Sequence, residues 1–298
     1  MPHRERAAID EELTPPYELR VPAEQTAPFI FCSPHSGRIY PRPFLEASRL
    51  DPHTLRKSED CFVDELFSAV VDGGAPLLAA RFPRAYLDVN REPFELDPEL
   101  FVDKLPPHAN TQSIRVAGGL GTIARIVADG EEIYSERMRV AQAIARIEAL
   151  YVPFHAALSE LIEATRSRFG YAVLIDCHSM PSTSSQGSAN RPDFVLGDRF
   201  GASCDGRLTR LVRDMLAGRG YEVQLNRPYA GGFITEHYGR PARGVHTLQI
   251  EINRGLYLDE AALQPTTGFA RLKDTLTFLS QRLFRDLPHL AVRRAAAE

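Results

Sequence analysis

Short apolar runs separated by turn residues recur along the chain, and the stretches between them carry apolar residues at helical spacing. Seven runs predict β-strands: 27–33, 75–82, 85–89, 171–177, 193–197, 221–226 and 246–252. Several of these runs are apolar throughout, which is typical of central strands covered on both faces. The alternation of strands with helical patterns predicts an α/β fold.

Helical spacing predicts helices at about 58–72, 133–168, 205–219 and 266–286. Ser58 is placed to cap the first of these helices, which would set Glu59 and Asp60 in its first turn. Pro153 lies inside the second helix and predicts a kink, because proline removes a backbone hydrogen bond.

The chain carries neither an internal repeat nor a Pro/Gly/Ser-rich linker that would divide it. We therefore predict a single domain over residues 1–298, with loose ends at about 1–16 and 290–298. The polar segment 181–192 lies close to candidate site residues and is interpreted as an active-site loop.

Composition and charge favour a protein that acts on small molecules. The 298 residues are 44% hydrophobic and 25% charged, as in ordinary soluble proteins. The formal net charge is −4 and the basic residues are scattered, so we expect neither nucleic acid nor a membrane surface as a partner. The start of the chain lacks the apolar core of a secretory signal, and the four cysteines show no paired spacing. We expect a cytoplasmic protein with free thiols.

Two histidines lie at or near the ends of predicted strands, where open α/β sheets bind their ligands. His35 follows the first apolar run and His178 follows the run 171–177. A lone histidine in such a place is more often an ordinary buried or surface residue, but two in the same context favour a shared metal ion. Two imidazoles leave a zinc ion in need of a third protein ligand, and a carboxylate is suitable. Glu59, Asp60 and Asp64 form the nearest acidic cluster, although Glu59 and Asp60 also suit the first turn of a helix, where they would complement its dipole.

Glu251 lies inside an apolar strand pattern, where a carboxylate must be paired or its pKa rises. A raised pKa suits a general base that activates water. Zinc lowers the pKa of bound water toward about 7, so the two together predict hydrolysis of an amide or ester.

The segment "RAYLDVNRE" ends with Asn90 and Arg91 side by side. An arginine fork recognises carboxylates in a bidentate manner, which indicates a substrate clamp. The alternative is that Arg91 forms a structural ion pair with Asp88 or Glu92. His237 lies near a glycine pair that allows a ligand to approach the backbone, so it is a candidate pocket residue. A serine hydrolase is disfavoured because no G-x-S-x-G motif is present.

Eight motifs together resemble the N-formylglutamate amidohydrolase family, and more distantly the zinc carboxypeptidases and aspartoacylase. In chain order they are "SPHSGRIYP", "EDCFVDELF", "RAYLDVNREP", "GGLGTIARI", "YVPFHAALSEL", "DCHSMPS", "DFVLGDRFGASCD" and "GGFITEHYGRPARGVHTLQIEINRGLYLDE". The resemblance implies a three-layer α/β/α domain with a mixed, mostly parallel central sheet, similar to zinc carboxypeptidases and other phosphorylase/hydrolase-like folds. It also implies one Zn²⁺ per chain and hydrolysis of N-formyl-L-glutamate to formate and L-glutamate in histidine degradation.

The resemblance also implies roles for particular residues. His35 and His178 match the two histidine ligands, and Asp60 matches the acidic position at the start of the following helix. The wider group places its acidic ligand three residues after the first histidine, where this chain has Arg38, so the acidic ligand must come from Asp60 or, as the alternative, Glu59.

The catalytic and substrate-binding roles follow in the same way. Glu251 matches the catalytic carboxylate, which would activate a metal-bound water and pass its proton to the leaving amine. Arg84 would stabilise the oxyanion, while Asn90 and Arg91 would hold a substrate carboxylate. The candidates for a second substrate carboxylate are Arg38, Arg240 and Arg254.

Two further functions remain open from the sequence. A zinc hydrolase of another N-acyl amino acid would differ only in its pocket for the acyl group. A non-catalytic protein that binds an acidic metabolite would keep the arginine clamp and lack a metal ligand or the general base.

Overall fold

The structure, a computed structural model, describes residues 2–127, 130–183 and 192–287. Its strands are β1 (Tyr17–Arg20), β2 (Phe29–Ser33), β3 (Leu77–Ala80), β4 (Ala172–Met180), β5 (Phe194–Gly197), β6 (Val223–Leu225), β7 (Val245–Asn253), β8 (Leu258–Asp259) and β9 (Gln264–Pro265). Within the described ranges, seven strands form one sheet in the order β1-β3-β2-β4-β7-β5-β6, and β8 pairs with β9.

The strand pairing in the large sheet is mixed. β4 is parallel to β2 and to β7, whereas β5 runs antiparallel to β7 and parallel to β6. All nine residues of β4 are buried, as expected for a central strand that is covered on both faces. The predicted α/β fold with a mixed, mostly parallel central sheet is confirmed.

Helices lie between and around these strands along the chain. They are α1 (Pro2–Glu12), α2 (Arg42–Ala47), α3 (Pro52–Arg56), α4 (Val63–Leu66), α5 (Ile114–Ala117), α6 (Val140–Arg146), α7 (Val152–Phe169), α8 (Gly206–Ala217), α9 (Phe233–Tyr238) and α10 (Gly268–Asp286). Short 3₁₀ turns cover Ser68–Val70, Pro98–Leu100, Pro241–Arg243 and Arg254–Leu256. None of the helices in the described ranges combines the length and hydropathy of a membrane span.

The predicted strand at 85–89 is wrong, because this segment consists of turns and irregular backbone. Its apolar side chains are buried, which produces a strand-like pattern without a strand ladder. The backbone N–H of Tyr86 donates to the carbonyl of Pro83, and that of Asp88 donates to the carbonyl of Thr122.

The predicted helix start at Ser58 is also wrong. The Ser58 hydroxyl donates to the carbonyl of Leu55, and α4 begins only at Val63. Glu59 and Asp60 therefore precede the helix, so they do not complement the dipole of its first turn.

Two further expectations concern the ends of the chain and Pro153. Residues 2–12 of the predicted loose start form α1, while 290–298 and most of the predicted loop 181–192 lie outside the described residues, so the prediction of loose ends remains a prediction. In place of a simple kink, a π turn over Ile147–Tyr151 joins α6 to α7 just before Pro153.

The chain divides into two compact units. Unit 1 contains Met1–Glu18, Pro34–Asp60 and Ala79–Leu158; unit 2 contains Leu19–Ser33, Cys61–Leu78 and Ser159–Glu298. In unit 1 a buried ion pair joins α1 to α6, with Glu5 Oε1 2.5 Å from Arg146 Nε. In unit 2 the apolar side chains of β2, β4, β5 and β7 form a core with those of α4, α8 and α10. The prediction of a single domain remains a prediction.

Candidate metal centre and active site

His35 lies two residues beyond the end of β2, in a turn whose backbone is closely packed. A Cβ atom on Gly37 would lie 2.0 Å from the carbonyl oxygen of Phe82, so only glycine allows this approach. The carbonyl of His35 also accepts the backbone N–H of Asp60 at 3.0 Å. These contacts fix the loop that carries His35 and hold Asp60 beside it.

Both imidazole nitrogens of His35 face carboxylates. Nε2 is 2.7 Å from Asp88 Oδ1, and Nδ1 is 3.4 Å from Asp60 Oδ2. Burial by itself would raise the pKa of Asp88, but its interactions with His35, Arg91 and Arg84 hold that pKa well below its usual range. An ionised Asp88 can only accept, so Nε2 of His35 carries the proton and directs Nδ1 toward Asp60.

Sequence reasoning considered Asp88 only as an ion-pair partner of Arg91 and did not place it at the site. The only signal was its position two residues before Asn90. That position does not reveal that the irregular segment 85–89 brings Asp88 against His35.

His178 lies within β4, because this strand continues three residues beyond the predicted end at Cys177. Its Nε2 is 2.8 Å from Oδ1 of Asp176, and residues two apart on a strand point to the same face. The second oxygen of Asp176 accepts a hydrogen bond from the hydroxyl of Thr235 on α9, at 3.0 Å. Asp176 was not predicted as a site residue, although its spacing from His178 is a signal that sequence reasoning could have used.

Two predicted ligands come together within unit 1, where Nδ1 of His35 faces the carboxylate of Asp60 and both side chains are buried. The third predicted ligand, His178, is a buried residue of unit 2. Ligand atoms at typical zinc distances and a tetrahedral angle are about 3.3 Å apart, close to the 3.4 Å between Nδ1 of His35 and the carboxylate of Asp60.

The surroundings of the two imidazoles also suit a metal ion. Each histidine has its Nε2 against a carboxylate, an arrangement common among metal-ligating histidines because it fixes the tautomer. The donor set therefore fits a zinc ion.

Glu59, the alternative acidic ligand, is held elsewhere. Its Oε1 accepts the hydroxyl of Tyr40 at 2.7 Å and forms an ion pair with Nε of Arg56 at 3.1 Å. The carboxylate that faces Nδ1 of His35 is that of Asp60.

Glu251 lies beside His178, because the parallel register of β4 and β7 pairs these two residues. The side chain of Gln249 donates to Oε1 of Glu251 at 3.0 Å and accepts the backbone N–H of Gly232 at 2.8 Å. Glu251 is buried, so its carboxylate is held in one orientation on the sheet face that carries His178.

The predicted clamp residues surround Asp88. Arg84 makes the short ion pair with Asp88, at 2.8 Å, whereas Nη2 of Arg91 is 3.7 Å away. Arg91 instead donates from Nε to the carbonyl of Leu120 and from Nη1 to the carbonyl of Asn90, both at 2.9 Å. Burial lowers the pKa of Arg91 to about 10, which leaves the guanidinium charged at neutral pH. The structural ion pair considered for Arg91 is therefore made mainly by Arg84.

The remaining predicted pocket residues differ in exposure. His237 on α9 keeps much of its side chain exposed, and its ring stacks on that of Phe233 with the centroids 4.9 Å apart. Partial desolvation and the charge of Arg240 lower the pKa of His237. Arg38 and Arg240 are exposed, whereas Arg254 is buried and donates to the hydroxyl of Ser179 at 3.1 Å.

Buried histidines held by carboxylates, with a glutamate beside one of them on an α/β sheet, are typical of the hydrolase class. The sequence profile described as N-formylglutamate amidohydrolase matches residues 27–258. The chain belongs to the N-formylglutamate amidohydrolase family, and the resemblance seen in its motifs is confirmed.

Individual relatives agree with this assignment. The chain is 30% identical to the N-formylglutamate deformylase of Pseudomonas aeruginosa over 239 residues, which is 79% of this chain and 84% of the relative. It is also 30% identical to the N-formylglutamate deformylase of Pseudomonas putida over 241 residues, 78% of this chain and 82% of the relative. The crystal structure of N-formylglutamate amidohydrolase from Ralstonia eutropha is similar with a TM-score of 0.85 and 38% identity, over 90% of this chain and 96% of that one.

Proposed function

We propose that this protein is a zinc-dependent amidohydrolase that cleaves the formyl amide of N-formyl-L-glutamate to formate and L-glutamate, a reaction of histidine degradation. The observation that carries the proposal is the buried pair of His35 and Asp60, whose ligand atoms lie 3.4 Å apart, close to the spacing of two ligands on one zinc ion. The two Pseudomonas relatives named as N-formylglutamate deformylases supply the substrate. We further propose that residues 1–298 act as one catalytic domain with one Zn²⁺.

In this proposal, Nδ1 of His35, the carboxylate of Asp60 and the imidazole of His178 hold the metal. When bound, zinc supplies Lewis-acid chemistry, which polarises an amide carbonyl and brings the pKa of water toward about 7. Asp88 and Asp176 keep the two imidazoles in the tautomer that leaves Nδ1 for the metal.

Glu251 is the proposed general base and acid. The register of β4 and β7 supports this role, because it pairs Glu251 with the proposed ligand His178. Glu251 takes a proton from that water and passes it to the leaving amine of glutamate. Gln249 holds the carboxylate in this orientation through the bond to Oε1.

Arg91 and Asn90 bind a carboxylate of the glutamyl group in this proposal. Arg91 has five N–H donors, and the bonds to two backbone carbonyls use only two of them, so the outer edge of the guanidinium can form a fork. Arg84 stabilises the developing oxyanion, with Asp88 fixing its position, and His237 lines the pocket. The second carboxylate pairs with Arg38, Arg240 or Arg254.

Hydrolysis of three substrates tests this proposal. We expect formate release from N-formyl-L-glutamate at a kcat/KM well above the values for N-acetyl- and N-succinyl-L-glutamate. A preference for acetyl or succinyl would instead assign another N-acyl amino acid, and binding of glutamate without any hydrolysis would identify a non-catalytic binding protein.

A further inference from the structure

One continuous helical run contacts the backbone of the segment that carries the proposed substrate clamp. We define the clamp segment as residues 84–91. Three side chains of the run donate to its carbonyls: Arg146 Nη1 to Tyr86 at 3.1 Å, His155 Nε2 to Val89 at 2.9 Å, and Tyr151 Oη to Arg91 at 2.9 Å.

The clamp segment needs these donors because its residues lie in turns and irregular backbone, away from any strand ladder. Buried backbone carbonyls without a partner are costly, so side chains take the place of a neighbouring strand. A carbonyl can only accept, which means that Nε2 of His155 carries its proton.

The π turn explains how Arg146 and Tyr151 reach the same segment. In a regular α-helix, two residues five apart lie about 140° apart around the axis. The turn over Ile147–Tyr151 bonds the N–H of Val152 to the carbonyl of Ile147, five residues back, which brings Tyr151 closer to the face of Arg146. The next step, from Tyr151 to His155, is the ordinary four residues, and the two rings lie 4.2 Å apart.

Burial supports a fixed arrangement of these side chains. Arg146 and Tyr151 are buried and His155 is half-buried. Arg146 is also bound to Glu5, and its role is in the packing of α1. The hydroxyl of Tyr151 donates to the carbonyl of Arg91 itself, and Nε2 of His155 donates to the carbonyl of Val89, two residues earlier.

We propose that Tyr151 and His155, brought into register by the π turn, are positioning residues that set the orientation of Arg91 for carboxylate binding. The inference rests on the proposed function only in taking Arg91 as the residue that binds a substrate carboxylate. A bidentate fork depends on angle as well as distance, so a shift of the Arg91 backbone weakens carboxylate binding. It leaves the proposed proton transfer by Glu251 unchanged.

Four variants test this inference through the separation of KM from kcat. Tyr151→Phe and His155→Leu each remove one donor, and we expect each to raise KM for N-formyl-L-glutamate about tenfold, with kcat within about twofold of the wild type. His155→Gln keeps an N–H near the position of Nε2 and should restore most of the affinity. Tyr221→Phe is the matched control, because it removes a tyrosine hydrogen bond to Thr275 outside the proposed site and should change neither constant.

Metal content, Tm and calorimetric titration with L-glutamate accompany the kinetics, and Arg91→Lys is measured in the same series. Unchanged KM in Tyr151→Phe and His155→Leu overturns the inference. A loss of substrate affinity that parallels a fall in Tm or in metal content, and that His155→Gln does not restore, also overturns it. If the wild type does not hydrolyse N-formyl-L-glutamate but binds L-glutamate, and Tyr151→Phe weakens that binding, the proposed function fails and the inference stands. If Arg91→Lys changes neither KM nor glutamate binding, Arg91 is not the clamp and the inference is overturned.

Discussion

His35 and His178 share one arrangement, although one follows a strand and the other lies within a strand. In each histidine Nε2 contacts an aspartate, at 2.7 Å for His35 and 2.8 Å for His178. The sequence identifies the two histidines because each stands next to an apolar run. It does not identify Asp88 as a partner, because that contact depends on how an irregular segment folds. The sequence therefore predicts the two histidines more readily than the aspartates that orient their rings.

The aspartate partners give the first prediction. Asp176→Asn should lower zinc affinity by about 10- to 100-fold, because the amide no longer fixes the tautomer of His178. Competition with a chromophoric chelator measures the affinity. Asp214→Asn, which alters an exposed ion pair on α8, serves as the control and should bind zinc like the wild type. Equal affinities for the two variants would rule out an orienting role for Asp176.

Glu251 gives the second prediction. Glu251→Gln should reduce kcat by about 10²- to 10⁴-fold, because the amide cannot accept the proton of the attacking water. The metal content should stay that of the wild type, since Glu251 is not a proposed ligand. Metal analysis and formate release on the same preparation test both parts. Substantial residual hydrolysis would refute the general-base assignment.

At the scale of elements, the sequence predicts the central strands best and the irregular segments worst. β2, β4 and β7 agree with the predicted runs to within three residues, because continuous apolar runs between turn residues have few other interpretations. The segment 85–89 was wrongly predicted as a strand, because buried turns carry the same apolar residues as a strand. β1 was missed because its sequence, YELR, is mostly polar and only half-buried.

Gly37 provides a prediction for the turn that carries His35. Gly37→Ala should lower the free energy of unfolding by about 1–3 kcal/mol, because the added Cβ would lie 2.0 Å from a backbone oxygen that has little freedom to move. Urea denaturation measures the change. Gly206 is the control, because its φ lies outside the left-handed region and an added Cβ would meet only the flexible end of the Arg210 side chain, at 3.2 Å. Gly201 is less suitable, because its φ of +85° would strain any other residue. Gly206→Ala should therefore cost little, and an equal loss in both variants would contradict the packing argument.

The ion pair between α1 and α6 provides a pH-dependent prediction. Burial raises the pKa of Glu5, but the charge of Arg146 and the hydrogen bonds from Tyr86, Arg146 and Gln142 lower it further, below its ordinary value. A carboxylate with a lowered pKa stabilises the fold above its unfolded pKa, and that stabilisation is lost as the pH falls through the folded pKa.

Glu5→Gln should therefore lower the free energy of unfolding by about 3–5 kcal/mol at pH 7, because Arg146 stays buried without its charged partner. The difference from the wild type should shrink below about pH 4.3, the usual pKa of an unfolded glutamate. Denaturation at several pH values measures it, with the exposed Glu11→Gln on the same helix as the control. A difference that does not change with pH would contradict the ionic origin.

At the scale of the whole molecule, the order of eight motifs along the chain indicated the family, which the match to residues 27–258 then confirmed. The strand alternation predicted the fold class independently of that resemblance. Neither source of information determines which acyl group the pocket accepts. Specificity of that kind depends on the shape of a pocket, and the spacing of motifs along a chain does not encode that shape.

The most direct test of the central claim combines metal analysis of the purified protein with a formate-release assay on N-formyl-L-glutamate. We predict about one Zn²⁺ per chain and formate release that stops when a chelator removes the metal and returns when zinc is added. Full turnover by metal-free protein, or a zinc-loaded protein that releases no formate, would contradict the account.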